Sequence, residues 1–329
     1  MRYLMRRFAH GILILFGVSI ITFVLPHLSI NAKGLAINAL GTRQTPAVYN
    51  QWIAQHHLNE SIPVQYYHWL VGVLHGNFGE SFLRGNAGAP VTEVIGPSMW
   101  HSFFFVFPPT IAAVMLAIPL GLIQAIRRNG AFDYATTTLV FVLYSTPAFL
   151  LCIIMTKYLY YGLNIGNYQV PQNAAEVSAV AFPAYMIQNF SSFVLPMLAL
   201  LVLTIGGLSR FMRGSALDTL VQDYVRTARA KGASPSRVLF RHVLRPSTIP
   251  VITILGLSLP AILSGALIIE VAFNFPGMGL LTVNSVQGDD FPTVLAITLI
   301  LCVATVFGNF LADIFMVVAD PRIRLEGRR

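Results

Sequence analysis

Six apolar stretches constrain the fold of this chain more than any other feature of its sequence. They cover residues 9–29, 103–126, 135–160, 192–212, 249–272 and 294–318. A bilayer's hydrocarbon core is crossed by roughly 20 residues of α-helix, so each stretch is long enough to span it. Only 10% of the 329 residues are charged, against about a quarter in soluble globular proteins. We therefore predict an all-α membrane protein with six transmembrane helices.

The basic residues orient the predicted spans, because cytoplasmic loops carry an excess of Lys and Arg. Of the 21 basic residues, 17 lie in the amino terminus, the loop between spans two and three, the loop between spans four and five, or the tail. Lys33, Arg43 and Arg84 fall in the other loops, and Lys157 lies inside span three. Both termini are therefore predicted to be cytoplasmic. Since the charges follow membrane topology, they do not indicate nucleic-acid binding.

The predicted topology also divides the chain into regions. These are a cytoplasmic amino terminus (1–8), span one (9–29), an external loop (30–102), a core of spans two to six (103–318) and a cytoplasmic tail (319–329). In the external loop, Thr45-Pro46 and Ser61-Ile62-Pro63 have the pattern of helix starts, which predicts two short helices. A cleavable signal peptide is the alternative for the amino terminus, but its removal would leave five spans and an external terminus.

The segment 224–246, within the predicted cytoplasmic loop 213–248, is basic and amphipathic. Its first part reads Tyr224, Val225, Arg226, Thr227, Ala228, Arg229, Ala230, Lys231 and Gly232. The small residues at 228, 230 and 232 permit close approach of a partner, and the basic residues keep the helix out of lipid. Gly232 predicts a helix end and Ser234-Pro235 a new start. The competing interpretation is a basic loop that contacts anionic membrane lipid.

Polar and ionisable residues inside spans are costly, so they are functional candidates. Asp313 and Asn309 lie four residues apart on one face of span six, where they either line a path or hydrogen-bond a neighbouring helix. Glu270, near the outer end of span five, is expected to fix the turn at 273–279. Lys157 is expected to snorkel to the membrane interface, with substrate contact as the alternative.

Metal binding and disulfides are both expected to be absent. The external loop contains adjacent His56 and His57 with Glu60, which have metal-ligand chemistry. Adjacent imidazoles do not share a helical face, however, and the sequence contains no HxxxH pair. Cys152 and Cys302 both lie in apolar runs, where a thiol behaves as a small hydrophobe.

Five matches in order along the chain resemble permeases of ATP-binding-cassette (ABC) importers, in the oligopeptide/dipeptide and nickel family. The run 226–232 resembles their coupling helix, whose general signature places Glu-Ala-Ala before a glycine. Arg226 and Thr227 replace Glu and Ala, which is typical of the oligopeptide branch. The other matches comprise residues 76–81, 263–265 with 270–279, 290–292 with 309–313, and 320–324. The long first external loop is similar to that of one of the family's two related permeases.

This resemblance implies a type I ABC importer permease fold and a heterodimer with a second, related permease. It also implies two cytoplasmic ATPase subunits that bind ATP and Mg, and an extracytoplasmic peptide-binding protein that delivers the substrate. The sequence has no Gly-x4-Gly-Lys-Ser/Thr phosphate loop, so we expect no catalytic residue and no cofactor in this chain. The expected location is the bacterial cell membrane.

The cargo stays open at this point, because selection at entry belongs largely to the binding protein. Peptides are favoured by the motifs, and nickel, glutathione or a small glycan are the alternatives. A stand-alone channel or membrane enzyme is a more distant alternative. An intramembrane protease needs a Ser/His pair or two facing aspartates, and only Asp313 lies deep in a predicted span.

Overall fold

The computed structural model describes residues 2–29, 32–41, 45–83, 87–257, 262 and 265–319. Within this part, the description excludes the side chains of residues 2–8, 25–29, 32–33, 38, 256–257 and 312–319. The described chain is helical and contains no β-strand, apart from one isolated bridge between Glu80 and Pro90. An all-α fold is thus confirmed.

The first half of the chain contains a long helix, three short ones and a second long helix. They are α1 (Arg2–Ser29), α2 (Ala32–Leu40), α3 (Pro46–Gln55), α4 (Ile62–Leu74) and α5 (Val91–Ile126). Proline stands in the first turn of both α3 and α4, where its missing N–H costs no hydrogen bond. Short helices in the loop after span one therefore form as the sequence predicts.

The remaining helices form the rest of the bundle. They are α6 (Ala131–Ser145), α7 (Ala148–Met155), α8 (Phe182–Gln188), α9 (Phe190–Leu220), α10 (Asp223–Ala230), α11 (Arg245–Leu257), α12 (Leu267–Ala272), α13 (Met278–Gln287) and α14 (Phe291–Ala319). A π-helical turn, Thr156–Tyr160, continues α7, and the short segments Pro235–Arg237 and Val238–Leu244 lead into α11.

Four helical stretches are long and apolar enough to cross a membrane. They are α5, α9, Pro235–Leu255 and Phe291–Leu311, and the pair of Ala131–Ser145 with Ala148–Leu163 makes a fifth if it counts as one span. A shorter apolar stretch, Ala9–Val24, lies in α1. The membrane-protein architecture is confirmed, whereas the number of six spans stays a prediction.

Two predicted spans are interrupted. The third is bent by 105° between α6 and α7, at Thr146 and Pro147, because the residue before a proline disfavours helical backbone and proline offers no N–H. The fifth is divided into α11 and α12, with Gly265 between them in the left-handed region at φ +74°. A continuous helix over 135–160 or 249–272 is therefore wrong.

The packing of α5 along α9 forms the centre of the bundle. On one half of this interface, small buried side chains such as Ala113, Ala117 and Ala216 let the helices approach closely. On the other half, Phe105 of α5 and Phe193 of α9 both pack on Phe275 from the turn after α12, with Phe105 stacked on it at a centroid distance of 4.3 Å. Apolar side chains of matched size therefore fill both halves of the interface.

The loop before α5 is fixed to the beginning of α14 by one carboxylate. Asp290 is fully buried, and its Oδ2 accepts a hydrogen bond from Ser81 Oγ at 2.5 Å. Its Oδ1 accepts the N–H of Phe82 at 2.9 Å. This contact joins two of the sequence motifs, 76–81 and 290–292, that lie more than 200 residues apart.

Gly121 sits where α5 and α9 are closest. A Cβ atom at this position would lie 2.7 Å from both Met212 Cβ and the Ser209 carbonyl oxygen. We expect Gly121→Ala to destabilise the protein by about 1 to 3 kcal/mol, because overpacking forces the helices apart. Thermal unfolding in detergent measures the effect.

Gly96→Ala is the matched control, since Gly96 lies in the same helix with no atom within 4 Å of an added Cβ. The control should be neutral or stabilise by up to about 1 kcal/mol through helix propensity. Equal unfolding temperatures for the two variants would contradict the close approach at Gly121.

Candidate functional site

Helix α10 lies against the bundle through one side only. Val225 is fully buried and packs in the cluster that contains Met212, Val238 and Val243. Ala228 is half-buried against the same cluster. The remaining residues of the predicted site, all exposed, are Tyr224, Arg226, Thr227, Arg229, Ala230, Lys231 and Gly232. The small residues therefore do not share one partner-facing surface, because Ala228 faces the bundle while Ala230 and Gly232 face outward.

Gly232 ends this region through its backbone conformation. Its φ is +78°, a left-handed value that glycine adopts without steric cost. The turn is closed by the Ala233 N–H, which donates to the Ala228 carbonyl at 3.1 Å. Space around Gly232 is open, with no atom within 4 Å of an added Cβ. Pro235 then begins the next helical segment after Ser234, as the sequence predicts.

The segment after α10 is tied to the end of α9. Ser247 is fully buried, and its Oγ lies 2.7 Å from the Val243 carbonyl and 3.1 Å from Thr219 Oγ1. Val243 is buried in the same cluster as Val225. Through these contacts α10, α9 and α11 form one packed unit.

An ion pair joins the same unit to α6. Arg213 on α9 donates from Nε and from one terminal guanidinium nitrogen to the two oxygens of Asp133, at 2.9 and 2.8 Å. Asp133 is buried and also accepts from the Asn129 N–H and the Thr137 hydroxyl. Sequence reasoning counted Arg213 only as a loop charge. The available signal was Asp133, an acid at the edge of an apolar run that requires a partner.

Glu270 caps the beginning of α13. One carboxylate oxygen accepts the backbone N–H groups of Gly279 and Leu280 at 2.7 and 3.2 Å. The other accepts from the Ser102 hydroxyl at 2.8 Å, and that hydroxyl accepts the Met278 N–H at 2.8 Å. These N–H groups at a helix start have no partner within the helix, so the carboxylate satisfies them. This arrangement agrees with the expectation that Glu270 fixes the 273–279 turn.

Three glycines pack closely against this carboxylate. A Cβ atom added at Gly265, Gly277 or Gly279 would collide with the side chain of Glu270. Next to it, His101 is buried and bridges two loops, with its ring nitrogens 3.0 Å from the Pro276 carbonyl and 2.8 Å from the Val177 carbonyl. In the sequence, His101 is one of several histidines of the predicted external loop, and no pattern distinguishes it from the others.

The other polar candidates for a translocation path are not assembled into one site. Lys157 is exposed, with its ammonium 5.5 Å from the centre of the Tyr158 ring, and Asn309 is exposed on α14. Among the described side chains, no hydrogen bond or ion pair joins any two of Lys157, Glu270 and Asn309. Asp313 belongs to α14, and its side chain lies outside the description. A role of these residues in substrate contact stays a prediction.

The histidines of the loop between α1 and α5 pair differently from what their sequence positions indicate. His56 stacks on Trp52 at a centroid distance of 4.1 Å, away from a shared site with His57. His57 instead stacks on His68 at 4.7 Å and contacts Glu60. His56, His57 and His68 border a cavity of 480 Å³ between α3, α4 and the beginning of α14.

Two family models together match almost the whole chain. The model of binding-protein-dependent transport system inner membrane components matches residues 117–325. A second model, of the N-terminal part of membrane components of binding-protein-dependent transport systems, matches residues 1–115. The matches divide the chain within α5.

Individual relatives match over nearly their full lengths. The chain is 35% identical over 322 residues to the oligopeptide transport system permease protein AppB of Bacillus subtilis, covering 98% of each protein. It is 31% identical to the dipeptide transport system permease protein DppB of the same organism, covering 99% of this chain and 98% of DppB. A metal-staphylopine import system permease protein, CntB of Staphylococcus aureus, is 29% identical over 332 residues, covering 100% of this chain and 99% of CntB.

Removing the Glu270 carboxylate tests the cap of α13. Glu270→Ala leaves the buried Gly279 and Leu280 N–H groups without an acceptor, which costs about 1 to 3 kcal/mol for each unsatisfied group. We expect a clear fall in the unfolding temperature of the purified protein. Glu270→Gln should lose less, because the amide oxygen still accepts a hydrogen bond.

Glu176→Ala serves as the control, since Glu176 is exposed. It should leave the unfolding temperature unchanged. If Glu270→Ala unfolds at the same temperature as this control, the carboxylate does not hold the turn.

Proposed function

Because this chain belongs to the family of inner membrane components of binding-protein-dependent transport systems, we propose that it is a permease subunit of an ATP-driven importer of di- and oligopeptides. The permeases AppB and DppB, whose names specify oligopeptide and dipeptide transport, cover this chain almost completely. It forms half of the translocation path, and a second, related permease forms the other half.

The observation that carries this proposal is the position of α10. Its buried side, Val225 and Ala228, anchors the helix to the bundle, and its outward side presents Arg226, Arg229 and Ala230 to solvent. A short helix that is fixed on one side and open on the other has the form needed to enter a cleft on a partner. We assign that partner as an ABC ATPase subunit, and α10 is then the coupling helix.

The contacts around α10 supply a mechanism. When two ATPase subunits close on ATP and Mg, the coupling helix moves with them as a rigid body. Buried contacts pass this displacement to α9 and α11 through Ser247 and Thr219, and the Arg213–Asp133 pair passes it to α6. The spans then rock between inward-facing and outward-facing states, and an extracytoplasmic binding protein delivers peptide to the outward-facing one. We assign no covalent chemistry to the permease itself.

A second candidate cargo comes from the similarity to CntB, whose name specifies metal-staphylopine import. A metal chelate is compatible with the same transport cycle, because selection at entry belongs largely to the binding protein. Nickel, glutathione and small glycans belong to the same group of alternatives. Competition between labelled peptide and each of these solutes in an uptake assay separates the candidates.

The chain is a multi-pass inner-membrane protein, and we assign both termini to the cytoplasm. The distribution of basic residues predicts that a reporter fused after Ser234 is cytoplasmic, and that reporters after Gly166 and Gln287 are external. Paired alkaline phosphatase and green fluorescent protein fusions measure this. Phosphatase activity at Ser234 would contradict the orientation and place α10 out of reach of any ATPase.

The coupling role is tested by enlarging the exposed side of α10. Ala230 is exposed and small, so Ala230→Trp leaves the chain's own core intact but adds an indole where a partner must fit. Overpacking of an interface costs about 1 to 3 kcal/mol, so we expect ATPase subunits to co-purify roughly 5-fold to 150-fold less efficiently. Reconstituted complexes should lose ATP-dependent peptide uptake accordingly.

Ser236→Trp is the matched control, because Ser236 is also exposed but lies beyond α10. It should retain uptake, and the isolated permease should hydrolyse no ATP. Normal coupled uptake by Ala230→Trp would contradict the assignment of α10. Uptake without any ATPase subunit would contradict the importer as a whole.

A further inference from the structure

Three side chains with metal-ligand chemistry meet in the loop between α1 and α5. His57 Nδ1 lies 2.8 Å from one oxygen of Glu60, and His68 Nε2 lies 3.5 Å from the other. One ligand atom from each residue can be chosen so that all three lie within 4.8 Å of one another. Ligands around a tetrahedral zinc ion are separated by roughly 3.3 Å, given zinc–ligand bonds of about 2.0 to 2.1 Å. Small side-chain rotations therefore bring the three atoms to coordination distance.

The ligand set joins α4 to the turn that follows α3. His57 follows the end of α3, Glu60 lies in the connection, and His68 lies on α4. Their sequence separations are 3 and 8 residues, but α3 ends at Gln55 and α4 begins at Ile62, so no continuous helix brings them together. The turn that follows α3 places His57 and Glu60 beside His68 on α4.

The backbone at His57 is unusual for a residue of this kind. Its φ is +57°, and the Leu58 N–H donates to the Ile53 carbonyl while the His57 N–H donates to Ala54. This is the hydrogen-bond pattern of a helix end at which glycine or asparagine is the usual residue. The left-handed backbone is less favourable for histidine than for glycine. In this conformation the His57 ring contacts both Glu60 and His68.

Unpartnered polar atoms concentrate at the same place. Among the described buried side-chain atoms, five have no hydrogen-bond partner, and three of them are Glu60 Oε2, Gln65 Oε1 and Trp69 Nε1. Buried polar atoms without a partner are rare in folded proteins. Gln65 and Trp69 line the 480 Å³ cavity together with His57 and His68. Glu60 thus keeps a carboxylate oxygen that makes no hydrogen bond, and the cavity beside His57 and His68 has room for water.

We propose that His57, Glu60 and His68 bind a divalent transition-metal ion of the zinc class. Two imidazoles and one carboxylate are ligands that zinc prefers, and three protein ligands leave a fourth position for water from the cavity. His57 and His68 are each about half exposed, at 50% and 47%, so the ion reaches the site from solvent. A bound ion would fasten α3 to α4 and stabilise the loop above the beginning of α14.

The proposal is tested on the full-length chain, purified in detergent without a polyhistidine tag. Calorimetric titration with Zn²⁺ should show one site. Glu60→Gln, His68→Gln and His57→Asn should each weaken Zn²⁺ binding by at least roughly 10-fold to 100-fold. That is the loss seen when a residue that only hydrogen-bonds a metal ligand is changed. Asparagine is chosen at position 57 because it tolerates the left-handed backbone. His75→Gln, which changes an exposed histidine of the same loop, should bind as wild type does.

X-ray absorption of the zinc-loaded wild-type chain provides a measurement that does not depend on any variant. We expect two imidazole ligands at about 2.0 to 2.1 Å. Absence of a zinc site in the calorimetric titration would overturn the proposal. So would unchanged binding by His68→Gln, or a spectrum with fewer than two imidazoles. Because these measurements involve no ATPase and no peptide, their outcome is independent of the transport function.

Discussion

The structure depends on a constraint that membrane proteins cannot avoid, which is that backbone groups at membrane depth must find partners within the protein. Where a span breaks, its freed N–H and carbonyl groups require substitutes. Glu270 and Ser102 provide them at the beginning of α13, by accepting the N–H groups of residues 278 to 280. The turn between α12 and α13 is thus stabilised by one carboxylate and one hydroxyl, around which the nearby glycines pack.

The two ends of the bundle are built differently, and this difference fits a transport cycle. Around Glu270 the contacts are buried hydrogen bonds and stacked aromatic rings, including Phe105 on Phe275. Around α10 the contacts are small aliphatic side chains and the Arg213–Asp133 ion pair. Under the proposed coupling role of α10, helices α10, α9 and α11 would move as one unit, because Ser247, Thr219 and Val243 pack them together.

Much of this architecture is visible in the sequence. Long apolar runs predict membrane helices, and the Pro-led starts of α3 and α4 predict the loop helices. Gly232 followed by Ser234-Pro235 predicts the end of α10 and the next start. Pro147 marks a place where span three can bend, but the sequence does not give the size of the bend, because a proline removes a hydrogen bond without specifying how neighbouring helices fill the gap. The pairing of Arg213 with Asp133 was not visible either, since 80 residues separate them.

The sequence by itself determined the all-α membrane class, the family and the position of the candidate coupling segment. These depend on hydropathy, on the positions of proline and glycine, and on the order of short motifs, all of which are local properties of the chain. The tertiary structure alone decided which side of α10 is open, turning Ala228 inward and Ala230 outward. It also decided that Glu270 caps α13, and that His57 meets His68 instead of sharing a site with His56. These outcomes depend on which helices pack against each other, and residues far apart in the chain become neighbours only when the bundle forms.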